Sequence, residues 1–136
     1  MGKTPWGLTV RAVIFDGQGR CLLVRRSKQN KSFGGMWEWP GGKVDSGEDF
    51  AAALHREVAE ETGLAVELAG LACSAGYDLP KIKVALLCLE ARLVGSDEVK
   101  LSDEHDAFEW VSPIDIPRYE YMPGVTPMML EYAKKR

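Results

Sequence analysis

The 136 residues lack most of the features that assign a protein to a compartment or a partner at sight. No apolar run approaches the ~18 residues of a membrane span; the longest, Val84 to Leu89, has the length of a buried strand. The opening Met1-Gly2-Lys3-Thr4-Pro5-Trp6 holds no secretory apolar stretch, and it fails the myristoylation pattern because Trp6 stands where Ser or Thr is required. Cysteine is scarce: Cys21, Cys73 and Cys88 are widely spaced, form no CxxC and sit among apolar neighbours. That argues against a disulfide scaffold or a zinc knuckle and for reduced thiols in the cytoplasm. Basic excess is absent too, with 17 Lys+Arg against 20 Asp+Glu and a net charge of −3, so neither a nucleic-acid polymer nor an anionic membrane is the expected partner. A small anionic substrate stays open, because a metal ion can supply the positive charge. No phosphate-loop GxxxxGK[ST], internal repeat or low-complexity linker occurs, and Asn30-Lys31-Ser32 matches a glycosylation acceptor without an export signal to give it meaning. The expectation is one globular domain over residues 1–136, with 46% hydrophobic and 27% charged residues.

What is present alternates between strand and helix signals. Leu8 to Phe15, the turn Asp16-Gly17-Gln18-Gly19 and Cys21 to Val24 read as a hairpin. Ser27 to Gly35 reads as an exposed loop, Trp37-Glu38-Trp39 as a short strand stopped by Pro40, and Gly41 to Glu48 as a glycine loop. Asp49 is placed to cap a helix running to about Thr62, ended by Gly63, with Phe50, Ala53, Leu54 and Val58 as its buried face. Val66 to Ala72, Val84 to Leu93 and Phe108 to Val111 read as further strands, with Pro80-Lys81 as a turn before the second. Ser112-Pro113 and Thr126-Pro127 each place a capping hydroxyl before a first-turn proline, so each opens a helix, the last running to about Lys135.

The Asp49–Thr62 helix carries the chemistry. At about 100° per residue, Glu57, Glu60 and Glu61 fall within an arc of about 100° on one face. Three like charges so placed repel one another, and a divalent cation reverses the sign of that interaction because hard oxygen ligands suit Mg²⁺. Such an ion keeps some waters and takes further ligands from substrate phosphates, as phosphoanhydride cleavage requires. A glutamate-rich helix face alone is more often a solvated surface, and Arg56 alone a surface ion pair. The glycine loop directly ahead of the helix shifts the balance, because glycines let backbone approach a ligand closely.

Gly42 to Leu64 also resembles a complete Nudix box, G-x5-E-x7-R-E-U-x-E-E-x-G-U with U aliphatic. Gly42, Glu48, Arg56, Glu57, Val58, Glu60, Glu61, Gly63 and Leu64 fill its specified positions. Trp37-Glu38-Trp39-Pro40-Gly41-Gly42-Lys43 is similar to the lead-in of MutT-type members. The resemblance implies an α+β fold, an α/β/α sandwich with a mixed central sheet between helices. It implies that Glu57, Glu60 and Glu61 bind Mg²⁺ (or Mn²⁺) with help from the Gly41 carbonyl, and that Glu57 or Glu60 activates water. Arg56 is then the arginine that orients a glutamate, and Glu48 a supporting carboxylate. Glu104, shortly before the strand that contains Trp110, corresponds to an acidic ligand or base outside the box. Its neighbour His105 is expected to make a local loop hydrogen bond. On the substrate side stand Arg26, Gly42 and Lys43, with Trp39 or Tyr77 able to stack on a base.

The implied reaction is hydrolysis of a pyrophosphate bond in a nucleoside diphosphate derivative, by an enzyme that takes small nucleotides and is compatible with a homodimer. A nucleoside triphosphate cleaved to monophosphate and pyrophosphate is first choice. The chain lacks the asparagine that reads oxidised guanine, since Met122-Pro123-Gly124-Val125-Thr126 has none, so that specificity is not implied. Pro80 lies where ADP-ribose hydrolases carry a proline, which makes ADP-ribose or a sugar nucleotide the second choice. A non-catalytic Nudix regulator is third, because such modules typically carry a damaged box.

Overall fold

A computed structural model describes residues 4–136, so the Met1-Gly2-Lys3 part of the myristoylation pattern lies outside the described residues. Seven strands form one mixed sheet: β1 (Trp6–Phe15), β2 (Cys21–Arg26), β3 (Trp37–Glu38), β4 (Gly41–Lys43), β5 (Val66–Leu79), β6 (Ile82–Leu93) and β7 (His105–Val111). The path runs β3-β2-β1-β6-β5, with β4 also paired to β1 and β7 to β2. At its centre β1 and β6 run parallel in unbroken register from Trp6↔Lys83 to Phe15↔Arg92. Helix α1 (Phe50–Thr62) covers one face; a 3₁₀ helix (Pro113–Arg118) and α2 (Thr126–Lys135) cover the other.

Two covered faces explain why β1 reads as a nearly continuous apolar run rather than an alternating one. Val10, Ala12 and Ile14 pack with Ala53, Leu54 and Val58 of α1. Val13 packs on the opposite side with Leu86, Trp39 and Met129. The α/β/α sandwich follows directly. No helix among the described residues is long and apolar enough to cross a membrane.

Local chemistry sets the ends of α1 as expected. The Asp49 carboxylate accepts from the Ala52 N–H at 3.1 Å, a cap worth about 1 kcal/mol, and Gly63 at φ 73° donates its N–H to the Ala59 carbonyl. The Asp16 turn is closed by its own side chain, which accepts from the Gln18 and Arg20 N–H groups at 2.8 and 2.9 Å.

Several boundaries differ from the expectation, each for a local reason. Phe50 is 41% exposed at the first turn of α1, and the buried face continues through Glu61 and Thr62 instead. The glycine loop begins as a strand: Gly41 to Lys43 pairs with Arg11, Val10 and Thr9. Gly41 makes this possible, since a Cβ there would lie 2.0 Å from the Val10 carbonyl oxygen and 2.6 Å from the Arg11 Cα. β1 and β2 share only the Phe15↔Cys21 pair, and β2 takes β7 as its long neighbour. β5 extends to Leu79 through two bulges, and β7 starts at His105. Neither Ser112 nor Thr126 caps with its hydroxyl; Thr126 Oγ1 turns back to the Met122 carbonyl at 3.1 Å.

Candidate active site

A cleft of about 820 Å³ opens where the C-terminal half of α1, β4 and the ends of β1 to β3 meet the loop before β7. From α1, Glu57 and Glu61 line it; Glu60 does not. Glu61 is 4% exposed and accepts from the Gly41 N–H at 3.1 Å. Burial pushes its carboxyl up to about 9; the nearby Glu38 and Glu104 charges add to the shift, while Arg11 and the Gly41 bond oppose it. The Glu57 carboxylate lies against the β4 backbone so closely that a Cβ on Gly42 would stand 2.6 Å from it.

Arg56 organises the carboxylates along the flank of the cleft. Its guanidinium donates to both oxygens of Glu48 at 2.8 and 2.9 Å and to Glu57 at 2.9 Å, and reaches Glu60 at 3.4 Å and Asp45 at 3.6 Å. The Arg56 hydrogen bonds, helped by the Asp45 N–H, hold Glu48 down to about 2. Glu60, 60% exposed in its side chain, belongs to this outer group.

Glu104 reaches the same end of the cleft from the opposite side. Ligand atoms of Glu61, Glu104 and His105 lie within 4.8 Å of one another. The Glu104 backbone is pinned by the Ser27 N–H and by Asn30 Nδ2, both 2.9 Å from its carbonyl oxygen. His105 corrects an expectation: its Nε2 pairs with Glu38 Oε2 of β3 at 2.7 Å rather than with its own loop. It does so because β7 already begins at His105, opposite Arg26.

A cation fits the acidic end on this geometry. Glu61 is a buried carboxyl whose charge is unfavourable as it stands, with Glu57 on the adjacent turn of α1 and Glu104 beside it. Oxygen donors of that kind suit Mg²⁺ or Mn²⁺.

The same cleft holds the substrate-side candidates. Arg26, Gly42, Lys43 and Tyr77 line it. Tyr77 offers its ring from β5, with Gly124 packed so tightly against it that a Cβ would lie 3.0 Å away. Trp39 is not available to stack on a base: it is 1% exposed and meets Tyr132 edge-on at 5.4 Å within the core. Proline follows it and the chain turns into β4 there, which directs the indole under the sheet.

Two residues outside the Gly42–Leu64 motif are central to this cleft. Arg11 Nη1 donates to the Trp39 carbonyl at 2.8 Å and Nη2 lies 3.4 Å from Glu38 Oε1; Glu38 also meets Arg26 Nη1 at 3.5 Å. Their signal in the sequence is a charge within an apolar strand, Arg11 in Leu8–Phe15, and a carboxylate between two tryptophans.

The sequence and the fold both have counterparts among known proteins. Residues 5–131 match the NUDIX domain family. Over 116 residues, 80% of this chain, it is 39% identical to a protein of Myxococcus xanthus named octanoyltransferase, of whose length the chain spans 31%. It is 30% identical to the CTP pyrophosphohydrolase of Escherichia coli, covering 95% of this chain and 93% of that protein. Among solved structures, the MutT protein of Methanosarcina mazei superimposes with a TM-score of 0.85 at 32% identity, covering 99% of this chain and 97% of that one.

Proposed function

The chain belongs to the NUDIX domain family, and from that membership we propose that it hydrolyses a pyrophosphate bond in a nucleoside diphosphate derivative, with nucleoside triphosphates as the first substrate class. The observation that carries this reading is that Glu57, Glu61 and Glu104 line one cleft with Arg26 and Tyr77, the Glu61 and Glu104 carboxylates lying within 4.8 Å of each other.

The base and sugar lie toward Tyr77, and the phosphates extend along β4 past Gly42 and Lys43. Arg26 and Lys43 neutralise phosphate oxygens and fix the chain's register. Glu61, Glu104 and Glu57 are the side chains that would hold the divalent cation, with the Gly41 carbonyl as a further donor, and the ion would supply charge neutralisation at the phosphate oxygens. Glu57 accepts the proton of the attacking water, its orientation fixed by Arg56 Nη1. The water oxygen bonds to one phosphorus, the bridging P–O bond breaks, and the proton taken by Glu57 is later released to solvent. Glu60 and Glu48 support the reaction through Arg56 from the flank.

Pro80 lines the cleft beside Tyr77, which keeps ADP-ribose or a sugar nucleotide as the second reading. The same reading places the protein in the cytoplasm, acting on free nucleotides, with a homodimer as an allowed assembly.

The test is a release assay over the nucleoside triphosphates, ADP-ribose, a UDP-sugar and a 5′-triphosphorylated RNA oligonucleotide, run with Mg²⁺ and with a chelator. Pyrophosphate and a nucleoside monophosphate from a free triphosphate, only with Mg²⁺, are expected. Cleavage of ADP-ribose alone selects the second reading. Binding of nucleotides without any turnover makes the protein a non-catalytic module and overturns the proposal.

A further inference from the structure

One carboxylate that lines the cleft gathers three basic side chains. Glu38, 13% exposed in its side chain, is touched by Arg11, Arg26 and His105 from three other strands: Oε1 faces Arg11 at 3.4 Å, and Oε2 faces Arg26 at 3.5 Å and His105 at 2.7 Å. Each arginine has a second anchor that fixes its direction: Arg11 donates to the Trp39 carbonyl, and Arg26 Nε donates to the Ser32 carbonyl at 3.0 Å. Burial alone pushes Glu38 upward, but Arg11, the His105 hydrogen bond and Arg26 outweigh it and hold the carboxyl below its usual range. The group is therefore an anion between two permanent cations, and it leaves at least one positive charge over. Both arginines line the cleft.

A buried ion network of this kind is a weak source of stability, since well-packed apolar side chains do as well or better. Its geometry suits another task. A guanidinium has five donors, and these contacts engage two nitrogens of each, so both cleft-lining arginines are oriented and still have N–H groups to give.

We propose that Glu38 is a positioning residue that holds Arg11 and Arg26 as a fixed cationic pair in the cleft floor, where they bind the phosphate nearest the nucleoside without help from a metal. This rests on the proposed nucleotide reading and deepens it. The acidic end then takes the pyrophosphate through a cation, and the arginine pair takes the nucleoside phosphate directly. Arg11 is the new binding residue, and His105, 2.7 Å from Oε2, helps to fix the Glu38 carboxylate.

The test separates binding from turnover. AMP, GMP, CMP and UMP are titrated by calorimetry into the wild type, Glu38→Gln, Arg11→Lys and the double variant, with a chelator present throughout. At least one monophosphate is expected to bind the wild type without metal, about tenfold more weakly to either single variant, and no more weakly still to the double variant, because the two residues act as one unit. With substrate and Mg²⁺, Glu38→Gln is expected to raise KM about tenfold and leave kcat within about threefold. Loss of metal-free binding in the wild type, unchanged affinity in Glu38→Gln, or a fall in kcat at constant KM would each overturn the proposal. If Glu38→Gln fails to fold, Arg11→Lys and Arg26→Lys carry the same measurement from the cleft side. The chelated titration stands whether or not the protein proves to be a hydrolase, so failure of the functional reading and failure of this one are told apart.

Discussion

On the α1 side of the cleft four carboxylates share one arginine, whereas on the sheet side two arginines and a histidine share one carboxylate. Arg56 serves Glu48, Glu57, Glu60 and Asp45; Glu38 serves Arg11, Arg26 and His105. The two hubs have the same construction with the charges exchanged. The first leaves a surplus of negative charge beside Glu57, Glu61 and Glu104, where a cation fits; the second leaves a surplus of positive charge and so a place for a phosphate. A nucleotide carrying a metal-bound pyrophosphate matches both ends at once, which neither hub does alone.

The largest effect that breaks this symmetry is expected at Glu61. Glu61→Gln keeps the acceptor for the Gly41 N–H but removes the ionisable oxygen that a cation needs, and turnover should fall about a hundredfold or more in a steady-state assay. The metal-free variant should nevertheless be more stable than the wild type. A carboxyl raised to about 9 in the fold costs nothing below its unfolded value near 4.5 and costs progressively more as pH rises toward 9. Denaturant melts at pH 7 should therefore favour Glu61→Gln by on the order of a few kcal/mol, and melts near pH 4 should not separate the two. Glu60→Gln, on the exposed flank, should cost at least tenfold less in turnover than Glu61→Gln; equal losses would merge Glu60 with the cleft group.

Gly42→Ala comes next. The added Cβ has no room beside Glu57, so the carboxylate must move, and turnover should drop about tenfold or more while the melting temperature changes little. Trp39→Phe should behave in the opposite way, costing roughly 1–3 kcal/mol of stability by leaving a void against Tyr132, with KM unchanged. A raised KM would restore Trp39 to the substrate.

The smallest effect is the acid response of the Arg56 hub. Glu48, held at about 2, contributes stability that is present above its unfolded value near 4.5 and is lost as pH falls toward 2. Glu48→Gln should flatten acid unfolding between those limits, and an unchanged acid limb would show that its ion pair with Arg56 adds nothing in solution.

The two hubs also differ in how far they could be read from the chain. The Arg56 hub lies within residues 45–60, on α1 and the loop just before it, and helical spacing alone puts its Glu57 and Glu60 on one face with Glu61. Spacing did not distinguish buried Glu61 from exposed Glu60, because that depends on where β4 passes over α1. The Glu38 hub draws on residues 11, 26, 38 and 105 from four strands, and only the sheet order brings them together. Strand ends were read short for the same kind of reason. The polar positions Ser74, Gly76 and Asp78 hid the second half of β5, which is held by pairing with β6 rather than by its own composition. The layered α/β/α arrangement was legible because apolar β1 and the amphipathic α1 specify it locally.

The claim on which all of this rests is that the α1 side of the cleft takes a divalent cation, and calorimetric titration of Mn²⁺ into the wild type and Glu61→Gln tests it most directly. Saturable uptake by the wild type, at least tenfold weaker in Glu61→Gln, is the expected result. Equal uptake by both proteins, or no uptake by the wild type even with a non-hydrolysable nucleotide bound, would contradict it.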